Sequence, residues 1–389
     1  MSAGLTTQSP GLRVPPFTTF VIKVYERCNL NCSYCYMYNL ADHTYQGKPA
    51  RMSKVVRDRL FQRLGEHATA HGIDPIVVVI HGGEPLLAGI DYMDGWLTAL
   101  RRAMDGIAEV RIRLQTNALL IDSDWVELFF HHGIRVGVSL DGPQRYNDRF
   151  RLDIRGAGSY ARALAGLEHL LDHEHGEHVF GAVLSVADPA IPAREMWDFW
   201  RDLGVRRFDF NLPHCTHDNP PWFSIASLSQ WLIELFDLWW DLDDPSYEIR
   251  FFRNVVSLIM GAPFSTDYLG GRPGGIAVVD TDGAIQGADA LRACEDGLVE
   301  LGLAVASNSF DDALGHPIVQ LANHSSAQLS VKCQECLVRD VCGGGYLPHR
   351  FSKRHRFDNP SVYCDSLYAT ISHARERIVA ALGPVWKDT

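Results

Sequence analysis

Short strand-like and helical segments alternate through the first half of the chain, and this alternation constrains the fold more than any other feature. Apolar runs bounded by turn residues predict six strands, at residues 19–25, 76–81, 111–115, 136–140, 179–185 and 207–212. Amphipathic segments between them predict helices, at 54–70, 92–104, 123–132, 160–173 and 194–203. Six β–α units in series predict an α/β fold, a partial (β/α)6 TIM-like barrel with functional groups at the carboxyl ends of its strands.

The pattern changes after residue 212. Two helices are predicted at 228–241 and 249–260, and an apolar stripe on the first indicates core packing. A hairpin follows, with Gly283 in its turn, and a last helix is predicted at 366–382. We therefore expect a flexible tail at 1–16, the barrel at 17–215, a helical bridging region at 216–275 and a separate C-terminal domain at 276–389.

Charge and composition exclude some classes of protein. The chain has 36 basic and 47 acidic residues and a net charge of −11, which argues against nucleic acid as the main partner. No apolar run reaches the roughly 18 residues of a membrane span, and the first 16 residues lack the order of a signal peptide. We expect a cytoplasmic protein with nine cysteines, and the grouping of seven of them indicates metal binding rather than disulfides.

Three cysteines lie together directly after the first predicted strand. Cys28, Cys32 and Cys35 are spaced to hold one face of a small cluster, with one ligand fewer than a four-iron cluster needs. One iron would then stay open for a chelating small molecule. The alternative is a zinc site with His43 as its fourth ligand.

A second group of cysteines lies near the carboxyl end. Cys333, Cys336, Cys342 and Cys364 supply four thiolates, which suit a tetrahedral zinc ion or a complete four-iron cluster equally well. Cys215 and Cys294 stand alone, and such cysteines are usually small buried apolar side chains.

The first group resembles the signature of the radical S-adenosylmethionine (SAM) superfamily. Three further motifs occur in the expected order: His-Gly-Gly-Glu-Pro at 81–85, Gln-Thr-Asn at 115–117, and Ser-Leu-Asp-Gly-Pro at 139–143 followed by Arg151. The resemblance covers residues 17–215. It implies a SAM site lined by Tyr34, His81, Gly82, Gly83, Glu84, Asn117, Ser139, Arg151 and Leu212.

The resemblance also implies the chemistry. SAM binds the open iron of a [4Fe–4S] cluster on Cys28, Cys32 and Cys35, and its reductive cleavage gives a 5′-deoxyadenosyl radical that removes hydrogen from an unactivated carbon. Most of this chemistry belongs to the cofactor, so the protein is expected to supply geometry. An electron donor such as flavodoxin or ferredoxin is implied as a partner.

The carboxyl-terminal cysteines resemble the SPASM (or twitch-like) extension, which carries auxiliary iron–sulfur clusters. Two positions where the full pattern has a cysteine hold Ala288 and Tyr346 instead. We therefore expect a single auxiliary [4Fe–4S] cluster on Cys333, Cys336, Cys342 and Cys364, and two clusters in all. Asp289 is a candidate catalytic base, because sulfatase-maturing relatives use an Asp next to the cysteine that Ala288 replaces here. The alternative is that Asp289 is a solvated carboxylate in a turn.

Residues 28–39 and 342–350 together look most like FxsB-type maturases, which form cyclophanes on ribosomal precursor peptides. This likeness predicts an oxidoreductase that joins an aromatic ring carbon to the β-carbon two residues on. Two alternatives remain open. One is a sulfatase-type maturase that makes formylglycine, although such enzymes normally keep both auxiliary clusters. The other is a zinc-binding interaction protein without turnover.

Overall fold

One mixed sheet organises the protein. The structure, a computed structural model, describes residues 14–262, 268–271 and 275–383. Within these residues ten strands form a single sheet: β1 (Thr19–Tyr25), β2 (Ile76–Gly82), β3 (Val110–Thr116), β4 (Ile134–Ser139), β5 (Phe180–Val186), β6 (Arg207–Asn211), β7 (Glu248–Ile249), β8 (Ile276–Val279), β9 (Ala284–Gln286) and β10 (Glu300–Ala304).

Helices connect the strands and cover the sheet. In the described ranges they are α1 (Lys54–His71), α2 (Ile90–Met104), α3 (Ser123–His131), α4 (Gln144–Phe150), α5 (Tyr160–Asp172), α6 (Gly176–Val179), α7 (Ala193–Asp202), α8 (Ile225–Leu242), α9 (Arg250–Ile259), α10 (Phe310–Leu314), α11 (Pro317–Asn323), α12 (Val331–Gln334), α13 (Arg339–Cys342) and α14 (Cys364–Leu382). Short 3₁₀ turns follow several strands, among them Pro85–Ala88 and Asp289–Ala293.

The strands lie in the order β10-β9-β8-β1-β2-β3-β4-β5-β6-β7. The pairs from β1 through β7 are all parallel, so their carboxyl ends meet at one edge of the sheet. This arrangement confirms the predicted α/β partial barrel. The six predicted strands and the predicted helices are present, and their ends differ from the predicted ones by a few residues at most.

The carboxyl-terminal part continues the barrel sheet. Strand β8 pairs in parallel with β1, with Thr19 opposite Ile276, and β9 and β10 extend it antiparallel. At the other end β7 adds a short parallel strand next to β6, inside the stretch predicted as a helical bridge. The predicted tail falls almost wholly outside the described residues.

The core lies between the sheet and its helices. Strand β1 shows the expected burial on both faces, and α8 buries the predicted stripe of Leu228, Trp231, Leu232, Leu235 and Phe236. Helix α8 packs on α7 and α14, so the last helix of the chain closes against the barrel. No described helix has the length and apolar character needed to cross a lipid bilayer.

Candidate functional site

The loop after β1 gathers the first three cysteines. Backbone turns wind it tightly, since the N–H of Cys35 donates to the Cys32 carbonyl at 2.9 Å. Burial, together with the neighbouring acids and thiols, raises the pKa of Cys28 to about 12, and burial with the Cys32 thiol does the same for Cys35. Thiols with such pKa values stay protonated unless a cation stabilises the thiolate, which is what a metal centre requires and supplies. His43 lies elsewhere, exposed and beside Asp296.

The glycine pair after β2 lets this loop cross the strand end. Gly82 has φ of +139°, and a Cβ added there would lie 2.1 Å from the Tyr25 carbonyl oxygen. A Cβ on Gly83 would meet the Arg27 carbonyl at 2.5 Å. The N–H groups of Gly83 and Glu84 donate to the carbonyls of Tyr25 and Arg27, each at 2.9 Å. These glycines therefore fix the path of the chain toward Cys28, a role that the sequence did not indicate.

Glu84 joins the ends of β2 and β3. Its buried carboxylate accepts from the Thr116 hydroxyl at 2.8 Å and from the Asn117 N–H at 2.8 Å, besides capping the turn at Leu86. Burial raises the pKa of Glu84 to about 7 against these hydrogen bonds, which favour the charged form. The Asn117 side chain donates to Asn29 at 2.7 Å, so the network reaches the cysteine loop.

Arg151 lies in a buried cluster of polar side chains that also contains Tyr34 and Asp141. Tyr34 donates to the Asp141 carboxylate at 2.5 Å, and Arg151 Nη1 donates to the Tyr34 hydroxyl at 2.9 Å. Arg151 Nε is buried without a hydrogen-bond partner among the described residues, and the guanidinium is close enough to Cys32 to affect its pKa. A buried, incompletely paired guanidinium beside the cysteine loop fits a ligand carboxylate.

The remaining predicted SAM residues lie at the same edge of the sheet. His81 is near the end of β2, Ser139 ends β4 and accepts from Gln115 at 2.7 Å, and Leu212 directly follows β6. The structure thus brings together the predicted residues from four strand ends and the cysteine loop. Asp141 and Lys23 belong to the same edge but were not assigned from the sequence. A lysine inside an apolar strand is unusual, and this signal could have identified Lys23.

Side chains from this edge and from the carboxyl-terminal segment lie together in a cluster that we call the chamber. We define it by five partly buried side chains, Tyr36, His81, His214, Asp289 and Tyr346. The Tyr36 hydroxyl donates to Asp289 Oδ2 at 3.4 Å, and the Tyr36 and His214 rings lie 4.8 Å apart. The Tyr346 ring lies 6.0 Å from that of His214. Tyr346, at the position of a missing cluster ligand, therefore places an aromatic ring against the chamber.

Two buried cations hold Asp289. Its Oδ1 lies 2.9 Å from Lys23 Nζ and 2.9 Å from Arg292 Nε. These charges keep the pKa of Asp289 well below its ordinary range although burial alone would raise it. Asp289 is therefore held as a carboxylate by two buried cations, and its role as a catalytic base stays a prediction.

The second cysteine group surrounds a cavity. Cys333, Cys336, Cys342 and Cys364 line a space of ≈ 260 Å³, with Cys364 at the first turn of α14. The four thiols share this space with neighbouring side chains, and it has room for a cluster that four cysteines would hold. Cys294 is buried with its Sγ 3.9 Å from the Pro348 carbonyl, as expected of a packing residue.

Residues 22–198 match the family model of the radical SAM superfamily. The match runs from β1 to α7 and so covers most of the predicted barrel. It is 29% identical to a serine-type anaerobic sulfatase-maturating enzyme of Klebsiella aerogenes, over 86% of this chain and 80% of that protein. It is 23% identical to a cysteine-type enzyme of Clostridium novyi, over 87% and 90%.

Solved structures agree with this fold. The chain superposes with a TM-score of 0.80 on native anSMEcpe with bound AdoMet and the Cp18Cys peptide, at 21% identity, over 94% of this chain and 99% of that one. SuiB of Streptococcus suis gives 0.61 at 16% identity, over 90% and 77%. The agreement in fold therefore extends beyond residues 22–198 into the carboxyl-terminal part.

The match of residues 22–198 to the radical SAM superfamily supports an enzyme and bears out the predicted cofactors, SAM and two [4Fe–4S] clusters. The prediction of cyclophane formation is wrong, because the relatives that match along the chain are sulfatase-maturating enzymes. Nothing in these similarities supports the FxsB-type assignment. The motifs behind it serve the cofactors, which the whole superfamily shares, and do not report on the peptide that is modified.

Proposed function

We propose that this chain oxidises the side chain of a cysteine or serine in a protein substrate to formylglycine. This proposal rests on the similarity of the chain, over more than four fifths of its length, to cysteine-type and serine-type anaerobic sulfatase-maturating enzymes. The peptide bound to anSMEcpe supports a peptide or protein segment as substrate.

SAM would be held by the polar groups at the sheet edge. Arg151, with its unpartnered Nε, would pair with the SAM carboxylate, and Glu84 and Asn117 would contact the methionine part. When bound at the open iron, SAM supplies the radical that removes one hydrogen from the substrate β-carbon. Tyr34 and Asp141 orient Arg151 for that contact.

The chamber would receive the substrate side chain. Its walls combine aromatic rings and imidazoles, which exclude bulk water from a reactive carbon radical and still offer hydrogen-bonding groups to a thiol or hydroxyl. Asp289, fixed by Lys23 and Arg292, keeps Tyr36 in place through its hydroxyl. The four-thiol site would hold the auxiliary cluster, which we assign to electron relay.

We also propose that the protein works in the reducing cytoplasm, where a flavodoxin or ferredoxin would donate electrons and cluster thiols stay reduced. The proposal concerns a protein with Ala288 and Tyr346 at two cluster positions, so it predicts maturation with one auxiliary cluster rather than two.

Aldehyde formation tests the function. We expect anaerobic protein, given SAM, reductant and peptides that present one target Cys or Ser, to produce a hydrazide-reactive aldehyde at that residue, mapped by fragmentation. A peptide with Ala at the target is the control and must stay unlabelled. If deoxyadenosine forms but neither the Cys peptide nor the Ser peptide gives an aldehyde, the formylglycine reaction is contradicted and the radical SAM chemistry still stands.

Arg151→Ala tests the cofactor site. A charge-assisted hydrogen bond contributes roughly 1.5–3 kcal/mol, so we expect SAM affinity to fall about ten- to a hundredfold at unchanged iron content. Arg149→Ala is the matched control, because Arg149 is half exposed and pairs with Asp188 instead. Equal SAM affinity of the two variants in a titration would show that Arg151 only supports the fold.

A further inference from the structure

Two histidines and an aspartate lie together at the opposite edge of the sheet from the chamber. His67 and His71 belong to the last turns of α1, and Asp311 belongs to the first turn of α10. Because α1 connects the parallel strands β1 and β2, its last turn lies at the edge where those strands begin, opposite the cysteine loop. The group is therefore separate from both cysteine sites and from the residues predicted to bind SAM.

The three side chains meet at one carboxylate oxygen. Asp311 Oδ1 lies 2.8 Å from His67 Nδ1 and 2.9 Å from His71 Nε2. One potential ligand atom from each of the three residues lies within 4.8 Å of the others. Ligand atoms bound at about 2.0–2.2 Å to one tetrahedral zinc ion are roughly 3.3 Å apart, so small shifts of these side chains suffice to bind an ion between them.

His67 is fixed in the interior, whereas the other two residues reach the surface. His67 is 4% exposed, and its ring packs against three aromatic rings whose centroids each lie 5.9 Å away, those of Phe17, Phe20 and Phe310. The side chains of His71 and Asp311 are 27% and 46% exposed. An ion could therefore enter from solvent, bind a ring that is already oriented, and keep water as a further ligand.

Hydrogen bonding within the group leaves one buried atom without a partner. A carboxylate only accepts, so both imidazoles must donate to Asp311, and His67 Nε2 is then a bare acceptor. This atom is buried without a hydrogen-bond partner among the described residues. Burial lowers the pKa of His67, while the Asp311 carboxylate and the Phe17 backbone act in the opposite direction, so the ring is neutral near pH 7. A metal ion at Nδ1 would move the ring proton to Nε2 and make that atom a donor, as in most metal-bound histidines.

The local charges favour a cation. In the described part of the chain, the ion pairs of Asp311 are those with His67 and His71 alone, so no lysine or arginine neutralises this carboxylate. Both histidines lie in the last two turns of α1, which ends at Gly72, and the carbonyl end of a helix carries partial negative charge. A divalent ion at this position would neutralise the carboxylate and the helix end together.

We propose that His67, His71 and Asp311 bind one divalent ion of the zinc class, which fastens α10 of the carboxyl-terminal segment to α1 of the barrel. Imidazole nitrogens and a carboxylate oxygen are ligands that zinc accepts, and histidines four residues apart share one face of a helix. The site is distant from the chamber, so the ion stabilises the packing of the two parts of the chain and takes no part in the reaction on the substrate. It is expected whether or not that reaction forms formylglycine.

Zinc binding to the complete protein tests the site. Untagged protein with both iron–sulfur clusters is dialysed anaerobically against a chelator and then against increasing zinc, and both metals are counted by mass spectrometry. We expect one zinc per chain at unchanged iron, with nitrogen and oxygen neighbours at about 2.0–2.2 Å in X-ray absorption. Loss of an outer-shell partner already costs about 10- to 100-fold in metal affinity, so His71→Ala and Asp311→Asn should each cost about a hundredfold or more.

His175→Ala is the matched control. His175 belongs with Glu127 and Glu174 to another group of possible ligands, and its variant should keep the wild-type zinc affinity. Unchanged iron content in Asp311→Asn, which keeps the shape of the side chain, shows that the fold is intact. Wild-type protein that binds no zinc, sulfur neighbours at about 2.3 Å, or equal zinc affinity in the wild type and both variants would each overturn the proposal. Loss of zinc in His175→Ala alone would overturn it too, because the ion would then belong to the other group.

Discussion

Simultaneous replacement of Cys28, Cys32 and Cys35 by alanine is expected to abolish SAM cleavage and to leave about half of the iron. The wild-type chain should bind about eight irons, four in each cluster. The three thiols sit in one loop after β1, while the other four line a separate cavity of ≈ 260 Å³, so one site can be emptied without dismantling the other. Iron analysis and deoxyadenosine formation under anaerobic conditions measure the two effects.

Cys215→Ala and Cys294→Ala are the controls for that experiment. Both cysteines are buried outside the two groups, so full iron content is expected in each variant. Deoxyadenosine from the triple variant would show that the catalytic cluster is elsewhere. About twelve irons in the wild type, or zinc in place of iron, would show that the number or the kind of metal centre is wrong.

Arg292→Ala is expected to lower the free energy of unfolding by about 3–5 kcal/mol, because it leaves buried acids without their counter-charge. Arg292 is fully buried and contacts three carboxylates, those of Asp42, Asp280 and Asp289. Lys23 is the second cation of this network and lies 3.6 Å from Asp280. Asp42 and Lys23 belong to the barrel, whereas Asp280, Asp289 and Arg292 belong to the carboxyl-terminal segment, so the network ties that segment to the barrel.

Anaerobic denaturant unfolding measures this effect. Arg111→Ala is the matched control, because the Arg111 guanidinium is exposed and, among the described residues, bonds only Glu109, so unchanged stability is expected. An equally small effect at Arg292 would mean that the buried acids accept protons at little cost. The pKa of Asp289 is lowered in the folded state, so the stability that it contributes is present above its ordinary pKa and is lost as the pH falls below it.

The sequence alone determined the barrel and the two cysteine groups. Strand and helix periodicities are local, since side chains within a few residues decide which face of a segment is buried, and the six predicted strands agree with β1 to β6. The cysteine groups were equally recognisable from the sequence, because most of their thiols lie close together along the chain and only Cys364 comes from a later segment. The sequence therefore indicated which cofactors the protein binds, but it did not indicate the reaction on the substrate. Cyclophane formation was predicted wrongly for this reason.

The tertiary structure decided the chamber. The pairing of β8 with β1 carries Asp280 and Asp289 to Lys23, and no local periodicity encodes a contact between strands so far apart in the chain. His214 and Tyr346 likewise meet only after the carboxyl-terminal segment has packed on the barrel edge. The charge state of each group follows from that packing, because burial and neighbouring charges, rather than residue type, set whether Asp289 stays ionised and His214 stays neutral.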